Sequence, residues 1–227
     1  MNILAIETAT EACSVALSAG NEIIQRYQVA PREHTHLLLP MIESVLAEAG
    51  IAKNQLDALT FSRGPGAFTG VRIAASAAQG IAFGLDLPVM PVSTLAVIAY
   101  GAYRETGSDR VLAAIDARMQ EVYWSGYQVG KGYAKEVIKE SVIAPERVEI
   151  PQEGEWVGAG TGWAAYGDEF GRRLGNRLIE CIPQALPDAT DLLSLAIPEI
   201  EGGNTISAEQ ILPVYLRDNV AKKPKTG

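Results

Sequence analysis

The sequence is poor in the two residue types that most often hold metals or attack substrates. Its 227 residues include two cysteines, Cys13 and Cys181, and two histidines, His34 and His36. The cysteines form no CxxC pair and lie among apolar residues, so we expect two small core side chains in a reducing compartment. The histidines are two positions apart, which on a helix does not put them on one face, and the sequence has no third histidine. We therefore expect no metal site.

Several enzyme and targeting motifs are missing as well. The sequence contains no Gly-x-Ser-x-Gly nucleophile elbow, no Gly-Lys-Ser/Thr of a Walker A loop and no Gly-x-Gly-x-x-Gly. It begins with MNILAIETAT, which lacks the basic region of a signal peptide, and no apolar run reaches membrane-spanning length. We expect a cytoplasmic protein that does not contact membranes.

Positive charge is also scarce. The chain has 19 Lys and Arg against 27 Asp and Glu, for a formal net charge of −8. An acidic chain binds nucleic acid poorly, because phosphate contacts need clustered cations. The one basic cluster is Lys222, Lys223 and Lys225, which we interpret as a frayed C-terminus. Because 48% of the residues are hydrophobic, the chain can still build a core of ordinary size.

The hydrophobic pattern predicts three strands followed by alternating helices and strands. In the first part these are strands at 2–6, 13–17 and 22–29, a helix at 33–49, a strand at 56–61, a helix at 71–83, a strand at 88–92 and a helix at 94–103. Gly50 is expected to end the first of these helices, and Ser93 is expected to cap the third.

After a polar break at residues 106–109 the order begins again, and Ile3–Glu7 resembles Leu112–Asp116. We predict strands at 110–115, 121–127, 135–143 and 156–157, a helix at 163–174, a strand at 179–182 and a helix at 189–197 that Pro198 ends. The chain is therefore predicted to be α/β, with two βββαβαβα-type halves at residues 1–106 and 107–227. This architecture resembles the actin, Hsp70 and sugar-kinase superfold (ASKHA), which binds ATP between its halves.

The run from Ser62 to Arg72 predicts a sharp glycine turn between a strand and a helix. Gly64 and Gly66 flank Pro65, and we expect Thr69 to cap the helix. Free N–H groups at such a helix start suit an anion, yet a structural turn has the same composition. Both interpretations, a phosphate contact and a structural turn, remain open.

Two acidic residues stand where the superfold holds Mg-ATP. Glu7 and Asp116 each end a strand, but the hairpins after them, Thr8–Glu11 and Ala117–Gln120, contain no glycine. Without glycine the backbone cannot approach a triphosphate closely, and Asp116 can pair with Arg118 instead. An independent kinase or ATPase is therefore disfavoured. A metallopeptidase is disfavoured for a different reason, because the sequence has neither a metal-binding histidine pair nor a nucleophile motif.

The predicted helices at 33–49 and 71–83 carry apolar residues on more than one side. This pattern suggests a helix-pair interface as an alternative to core packing. The candidates at that interface are His34, His36, Leu38, Met41, Ile42, Val45, Thr69, Val71, Arg72, Ala74, Ala75, Ala78 and Ile81. Replacing Ala74 or Ala78 with a bulky charged residue is expected to break the pairing and leave the monomer folded.

Five segments together resemble one family. They are Ile6–Thr8, Glu33–Pro40, Arg63–Arg72, Asp116–Tyr123 and Pro213–Arg217, and they occur in family order over nearly the whole chain. The combination resembles the TsaB (YeaZ) family. The resemblance implies a duplicated actin-like fold and a cytoplasmic, non-catalytic scaffold for making N6-threonylcarbamoyladenosine at position 37 of tRNAs that read ANN codons.

The resemblance also implies partners. These are the catalytic paralogue TsaD, the ATPase TsaE, and a second copy of the chain when it is alone, with tRNA reached through the complex. No cofactor is expected to bind tightly to this chain alone, but ATP or ADP is a candidate at the interface with TsaD. The residues proposed near that nucleotide are Glu7, Arg63, Gly64, Gly66, Asp116 and Arg118. For Arg63, Arg72 and Arg118, contact with the partner or ordinary surface charge are the alternatives.

Overall fold

The computed structural model describes residues 1–20 and 22–217 as ten strands, five helices and four short 3-10 turns. The predicted frayed cluster Lys222–Lys225 lies outside the described residues. The first half contains β1 (Ile3–Glu7), β2 (Ala12–Ala19), β3 (Glu22–Val29), α1 (His34–Ala49), β4 (Ala58–Ser62), α2 (Phe68–Leu85), β5 (Val89–Val92) and α3 (Thr94–Thr106).

The second half repeats most of this order. It contains β6 (Arg110–Asp116), β7 (Val122–Gly130), β8 (Tyr133–Ile143), β9 (Trp156–Ala159), α4 (Thr161–Leu174), β10 (Leu178–Ile182) and α5 (Ala189–Glu201). A short 3-10 turn, Pro145–Arg147, stands where the first half has α1. The guanidinium groups of Arg173 and Arg177 bind backbone carbonyls of the segment around this turn, including those of Val148 and Pro151.

The two sheets have the same topology. Their strand orders are β3-β2-β1-β4-β5 and β8-β7-β6-β9-β10, with antiparallel pairs among the first three strands and parallel pairs beyond them. This equivalence confirms the predicted duplicated actin-like α/β fold. The division at residues 106 and 107 falls between α3 and β6 and stays a prediction.

The last helix of each half crosses to the other half. Helix α3 packs on β6 and β7, whereas α5 packs on β1 and β2, and the two helices touch one another. One apolar core therefore contains residues from both halves, among them Ile3, Ile98, Val111 and Leu192. Because each sheet is covered by the other half's helix, neither half buries its sheet alone.

The caps of these crossing helices are tied to equivalent strands. Ser93 accepts hydrogen bonds from the backbone N–H groups of residues 95 and 96, as predicted for a cap, and its hydroxyl donates to Glu140 in β8. Asp188 caps α5 and accepts from the side-chain amide of Gln25 in β3. Since β3 and β8 hold the same place in their sheets, each crossing helix is tied at its cap to the equivalent strand of the other half, with the cap as donor in one case and as acceptor in the other.

Two of the predicted start and stop signals, the cap at Thr69 and the stop at Pro198, were wrong. Helix α2 begins at Phe68 with Ala67 as its N-cap, so Thr69 lies inside the helix and does not cap it. Helix α5 continues through Pro198 to Glu201, because Ile197 and Ile200 on its apolar side pack on the core and outweigh one lost backbone hydrogen bond. Among the described residues, no helix combines the length and apolar character needed to cross a bilayer.

Candidate functional site

A cleft of about 700 Å³ lies between the two halves. Its walls come from the β1–β2 hairpin, the start of α2, the β6–β7 hairpin and the segment 213–217. The residues that line it are Ala9, Thr10, Glu11, Gly66, Ala67, Phe68, Val71, Arg72, Ile115, Asp116, Ala117, Arg118, Met119, Tyr123, Thr161, Val214, Tyr215, Leu216 and Arg217. Most of this surface is apolar or aromatic, so the cleft suits a largely apolar occupant.

Glu7 does not reach the cleft. Its carboxylate is 0% exposed, accepts the Ala9 N–H at 2.6 Å and accepts a hydrogen bond from the Ser62 hydroxyl. Burial raises the pKa of Glu7 to about 8, which favours the neutral acid at neutral pH. The expectation that Glu7 is near a nucleotide therefore conflicts with its burial, because a sealed acid cannot contact Mg-ATP.

Gly66 in the turn after β4 and Gly70 in the first turn of α2 let the β1–β2 hairpin approach this helix. A Cβ at Gly66 would lie 2.3 Å from the Ala9 carbonyl oxygen, and one at Gly70 would lie 2.0 Å from that of Thr8. The Ala67 N–H donates to the same Ala9 oxygen at 2.7 Å. The hairpin thus occupies the place in front of the helix where a phosphate would bind. This geometry favours the structural-turn interpretation of the glycines.

Arg63 and Gly64 serve contacts within the chain. The Arg63 guanidinium lies 3.6 Å from the Glu140 carboxylate, which also accepts the Tyr127 hydroxyl at 2.8 Å. Burial, together with the Glu140 charge, raises the pKa of the Tyr127 hydroxyl. Gly64 has φ of +100°, and a Cβ there would lie 3.0 Å from the Val214 carbonyl oxygen. Arg63 therefore links the halves, and neither residue lines the cleft.

Asp116 and Arg118 form the local ion pair that their spacing predicts. The Asp116 carboxylate accepts the Arg118 backbone N–H at 2.8 Å and the guanidinium at 2.7 Å. A second guanidinium nitrogen lies 3.6 Å from Glu11 on the opposite hairpin. Both residues line the cleft, as does Gly66. Of the six residues proposed near a nucleotide, these three face a space that a ligand could enter.

The hairpin that carries Arg118 has an unusual backbone. Arg118, Met119 and Gln120 have φ values of +60°, +55° and +62°. Each non-glycine residue in this left-handed region costs about 1–2 kcal/mol, so the surrounding contacts must hold the turn. Sequence reasoning missed this conformation, because none of the three residue types favours it.

Most of the predicted interface residues belong to the core. Eight of them are buried, and six of the eight pack in the apolar core on the first sheet: Leu38, Ile42, Val45, Ala74, Ala75 and Ala78. The other two buried residues are His34 and Val71. His36, Thr69 and Arg72 are exposed, while Met41 and Ile81 are half-buried. Helical spacing shows which residues share a face, but it does not show which face the sheet covers.

The outward face of α1 and α2 carries different residues. Leu39 is 58% exposed in α1, and Phe68 and Phe83 are 54% and 71% exposed near the two ends of α2. Between these phenylalanines the exposed positions of α2 hold Thr69, Arg72, Gln79 and the small residues Ser76 and Gly80. We name this surface, formed by Leu39, Phe68, Arg72, Ser76, Gly80 and Phe83, the outer helix face. The i, i+4 spacing from Phe68 to Gly80 was the available sequence signal.

The part of the chain that the structure describes offers few side chains that could bind a metal together. Within residues 1–20 and 22–217, no three His, Cys, Asp or Glu side chains converge on one point. Cys13 is buried and Cys181 is exposed, and burial raises the pKa of each thiol to about 11. Neither thiol is therefore activated as a nucleophile at neutral pH.

Comparisons with known proteins identify the family. A family model described as TsaD, tRNA N6-adenosine threonylcarbamoyltransferase, matches residues 20–225. The tRNA threonylcarbamoyladenosine biosynthesis protein TsaB of Escherichia coli (strain K12) is 46% identical, with 100% of this chain and 99% of that protein covered. The protein of the same name from Haemophilus influenzae is 44% identical, with 100% and 98% covered.

Solved structures agree with this result. The structure of YeaZ from Pseudomonas aeruginosa has a TM-score of 0.89 and 50% identity, covering 95% of this chain and 99% of that one. A second structure, of an uncharacterized protein with similarity to peptidase YEAZ from the same organism, gives a TM-score of 0.89 at 49% identity. With full-length relatives of this similarity, the chain belongs to the TsaB (YeaZ) family.

Proposed function

We propose that this chain is a non-catalytic scaffold subunit of the machinery that forms N6-threonylcarbamoyladenosine at position 37 of tRNAs that read ANN codons. The relatives named TsaB support the pathway. The observation that carries the scaffold role is the buried Glu7, together with the hairpin that fills the space before α2. In such an actin-like chain, the acid that ends β1 and the N–H groups at the start of α2 are engaged by contacts within the chain and are not available to a metal-bound triphosphate.

Two enzymatic alternatives fit the site less well. A kinase or ATPase would need Glu7 and Asp116 open to Mg-ATP, yet Glu7 is sealed and Asp116 is paired with Arg118. A metallopeptidase would need several converging ligands, and the described residues contain no such cluster. Release of phosphate by the purified chain would support a kinase or ATPase, and cleavage of peptides would support a metallopeptidase.

The partner we propose is the catalytic paralogue TsaD, bound through the outer helix face. The small Ser76 and Gly80 allow a second helix to approach closely, and Phe68 and Phe83 offer apolar anchors on either side. The same surface would pair two copies of the chain when TsaD is absent. TsaE would join the pair, ATP or ADP would bind at the interface, and tRNA would be held mainly by the partner in the cytoplasm.

The decisive experiment depletes this protein in its host and measures threonylcarbamoyladenosine in total tRNA by mass spectrometry. The scaffold proposal expects the nucleoside to disappear and to return when the chain is supplied, provided TsaD is present. A Ser76→Arg chain should fail to restore it, whereas the matched exposed change Arg172→Gln on α4 should restore it fully. An unchanged nucleoside level after depletion would overturn the proposal.

A further inference from the structure

Residues 213–217 belong to no helix or strand, and four of them, residues 214–217, line the cleft. We call this segment the strap. At its first-half end the Val214 N–H donates to the Arg63 carbonyl at 2.8 Å. The Tyr215 hydroxyl accepts from Arg72 Nε at 2.7 Å, and the Arg72 guanidinium lies 3.6 Å from the centre of the Phe68 ring. The strap is thus anchored to the exposed start of α2.

The other end of the strap is anchored to the second half. The Arg217 guanidinium donates to the Ala117 carbonyl at 3.0 Å and to the Glu121 carboxylate at 2.6 Å. These two residues flank the left-handed turn at Arg118–Gln120. Because that backbone is strained, external contacts of this kind are needed to keep it in place.

We propose that the strap couples the start of α2 to the β6–β7 hairpin across the cleft. Charge-assisted hydrogen bonds at both ends make five residues a short mechanical link between the halves. A partner or ligand that draws Arg72 away from Tyr215 would therefore loosen the hairpin and change the opening of the cleft. The Arg63–Glu140 pair also joins the halves, so the loosening is local to the hairpin. This coupling is a property of the isolated chain and does not depend on the partner proposed above.

Hydrogen–deuterium exchange of the purified full chain, read on peptides covering residues 116–122, tests the coupling. Arg217→Gln removes the guanidinium that donates to both Ala117 and Glu121, and exchange of the hairpin should rise about tenfold or more, as expected for the loss of charge-assisted hydrogen bonds. Tyr215→Phe keeps the ring and removes only the hydroxyl that Arg72 binds. Exchange at the same hairpin should rise in this variant too, although Tyr215 is anchored on the first half.

The matched control is Arg172→Gln, which changes an exposed arginine whose carboxylate partner, Glu169, lies on the same helix. It should leave hairpin exchange unchanged. Unaltered hairpin exchange in Arg217→Gln would overturn the role of the strap. A rise in Arg217→Gln without one in Tyr215→Phe would overturn the coupling. Circular dichroism of each variant checks that the fold is retained, so that a change in hairpin exchange can be assigned to the strap and not to unfolding.

Discussion

Glu7 and Ser62 meet inside the first sheet, where the Ser62 hydroxyl donates a hydrogen bond to the Glu7 carboxylate and neither residue is exposed. Strands β1 and β4 are parallel neighbours, and Ile6 lies opposite Phe61. Glu7 and Ser62 are the next residues of these strands, so they lie side by side at the carboxyl ends of the two strands. Glu7 is therefore part of a closed polar pair and does not face the cleft. Several measurable consequences come from this and from the other contacts between the halves.

The stability of the protein should depend on the protonation of Glu7. Its pKa is about 8 when folded, against an ordinary value of 4.5, so the folded state holds a proton that the unfolded state releases between these values. The free energy of unfolding should therefore fall as the pH rises from 4.5 to 8, by up to about 1.4 kcal/mol per pH unit, and level off above 8.

Glu7→Gln should remove this slope, because glutamine can accept from Ala9 N–H without titrating. Urea unfolding of both proteins from pH 5 to pH 9 measures the difference between them, in which the contributions of other groups cancel. Parallel pH profiles for the two proteins would show that Glu7 does not titrate as its burial predicts.

Gly70 and Gly80 lie in the same helix but should respond oppositely to alanine. A Cβ at Gly70 would meet the Thr8 carbonyl oxygen at 2.0 Å, whereas one at Gly80 has nothing within 4 Å. Gly70→Ala must push the hairpin from α2 and should cost about 3 kcal/mol or more. Gly80→Ala should raise stability by about 0.5–1 kcal/mol through helix propensity. Calorimetry of the two variants measures the change in Tm. Equal changes in Tm for Gly70→Ala and Gly80→Ala would contradict the prediction.

Glu140 should contribute to stability well beyond an exposed glutamate. Its carboxylate receives the hydroxyls of Ser93 and Tyr127 and lies beside Arg63, joining the second sheet to the first half. Glu140→Ala leaves buried donors without an acceptor and should cost about 2–3 kcal/mol. Glu180→Ala on the exposed strand β10 is the control and should stay within about 0.5 kcal/mol. Similar unfolding midpoints for both variants would argue against the network.

Substitutions on the two sides of α2 should separate folding from pairing. Ser76→Arg on the outer helix face should abolish association with TsaD, and pairing of the chain with itself, at unchanged stability within about 0.5 kcal/mol. Ala78→Arg should unfold the chain instead, because Ala78 is 0% exposed against the sheet. Sedimentation with and without TsaD, together with thermal melts, measures both. Normal pairing of the Ser76→Arg variant would show that the interface does not lie on the outer helix face.

Features that depend on neighbours in sequence could be predicted with success. Ser93 caps α3, Gly50 ends α1 in the left-handed conformation, and Asp116 pairs with Arg118, since each contact spans a few residues. The duplication of the fold could also be predicted from the sequence, because most of the order of strands and helices occurs twice along the chain.

Contacts between distant segments were outside the reach of the sequence. Helical spacing predicts Ala74 and Ala78 at a partner surface, but they lie on the side of α2 that the sheet covers. The outward residues Phe68 and Phe83 could be recognised only after the helix was placed on β4. Likewise, no local rule shows that Arg217 reaches Glu121, 96 residues earlier in the chain.

By itself, the sequence determined the duplicated order of elements, the family and short-range features such as the Ser93 cap and the end of α1 at Gly50, because period and residue type act over one or two turns of chain. Tertiary structure alone decided that Glu7 is sealed by Ser62, that the glycines admit a hairpin, and which face of α2 remains free. The reason is physical: burial and solvent access are set by what packs above a residue, and at these positions the covering segment comes from a distant part of the chain.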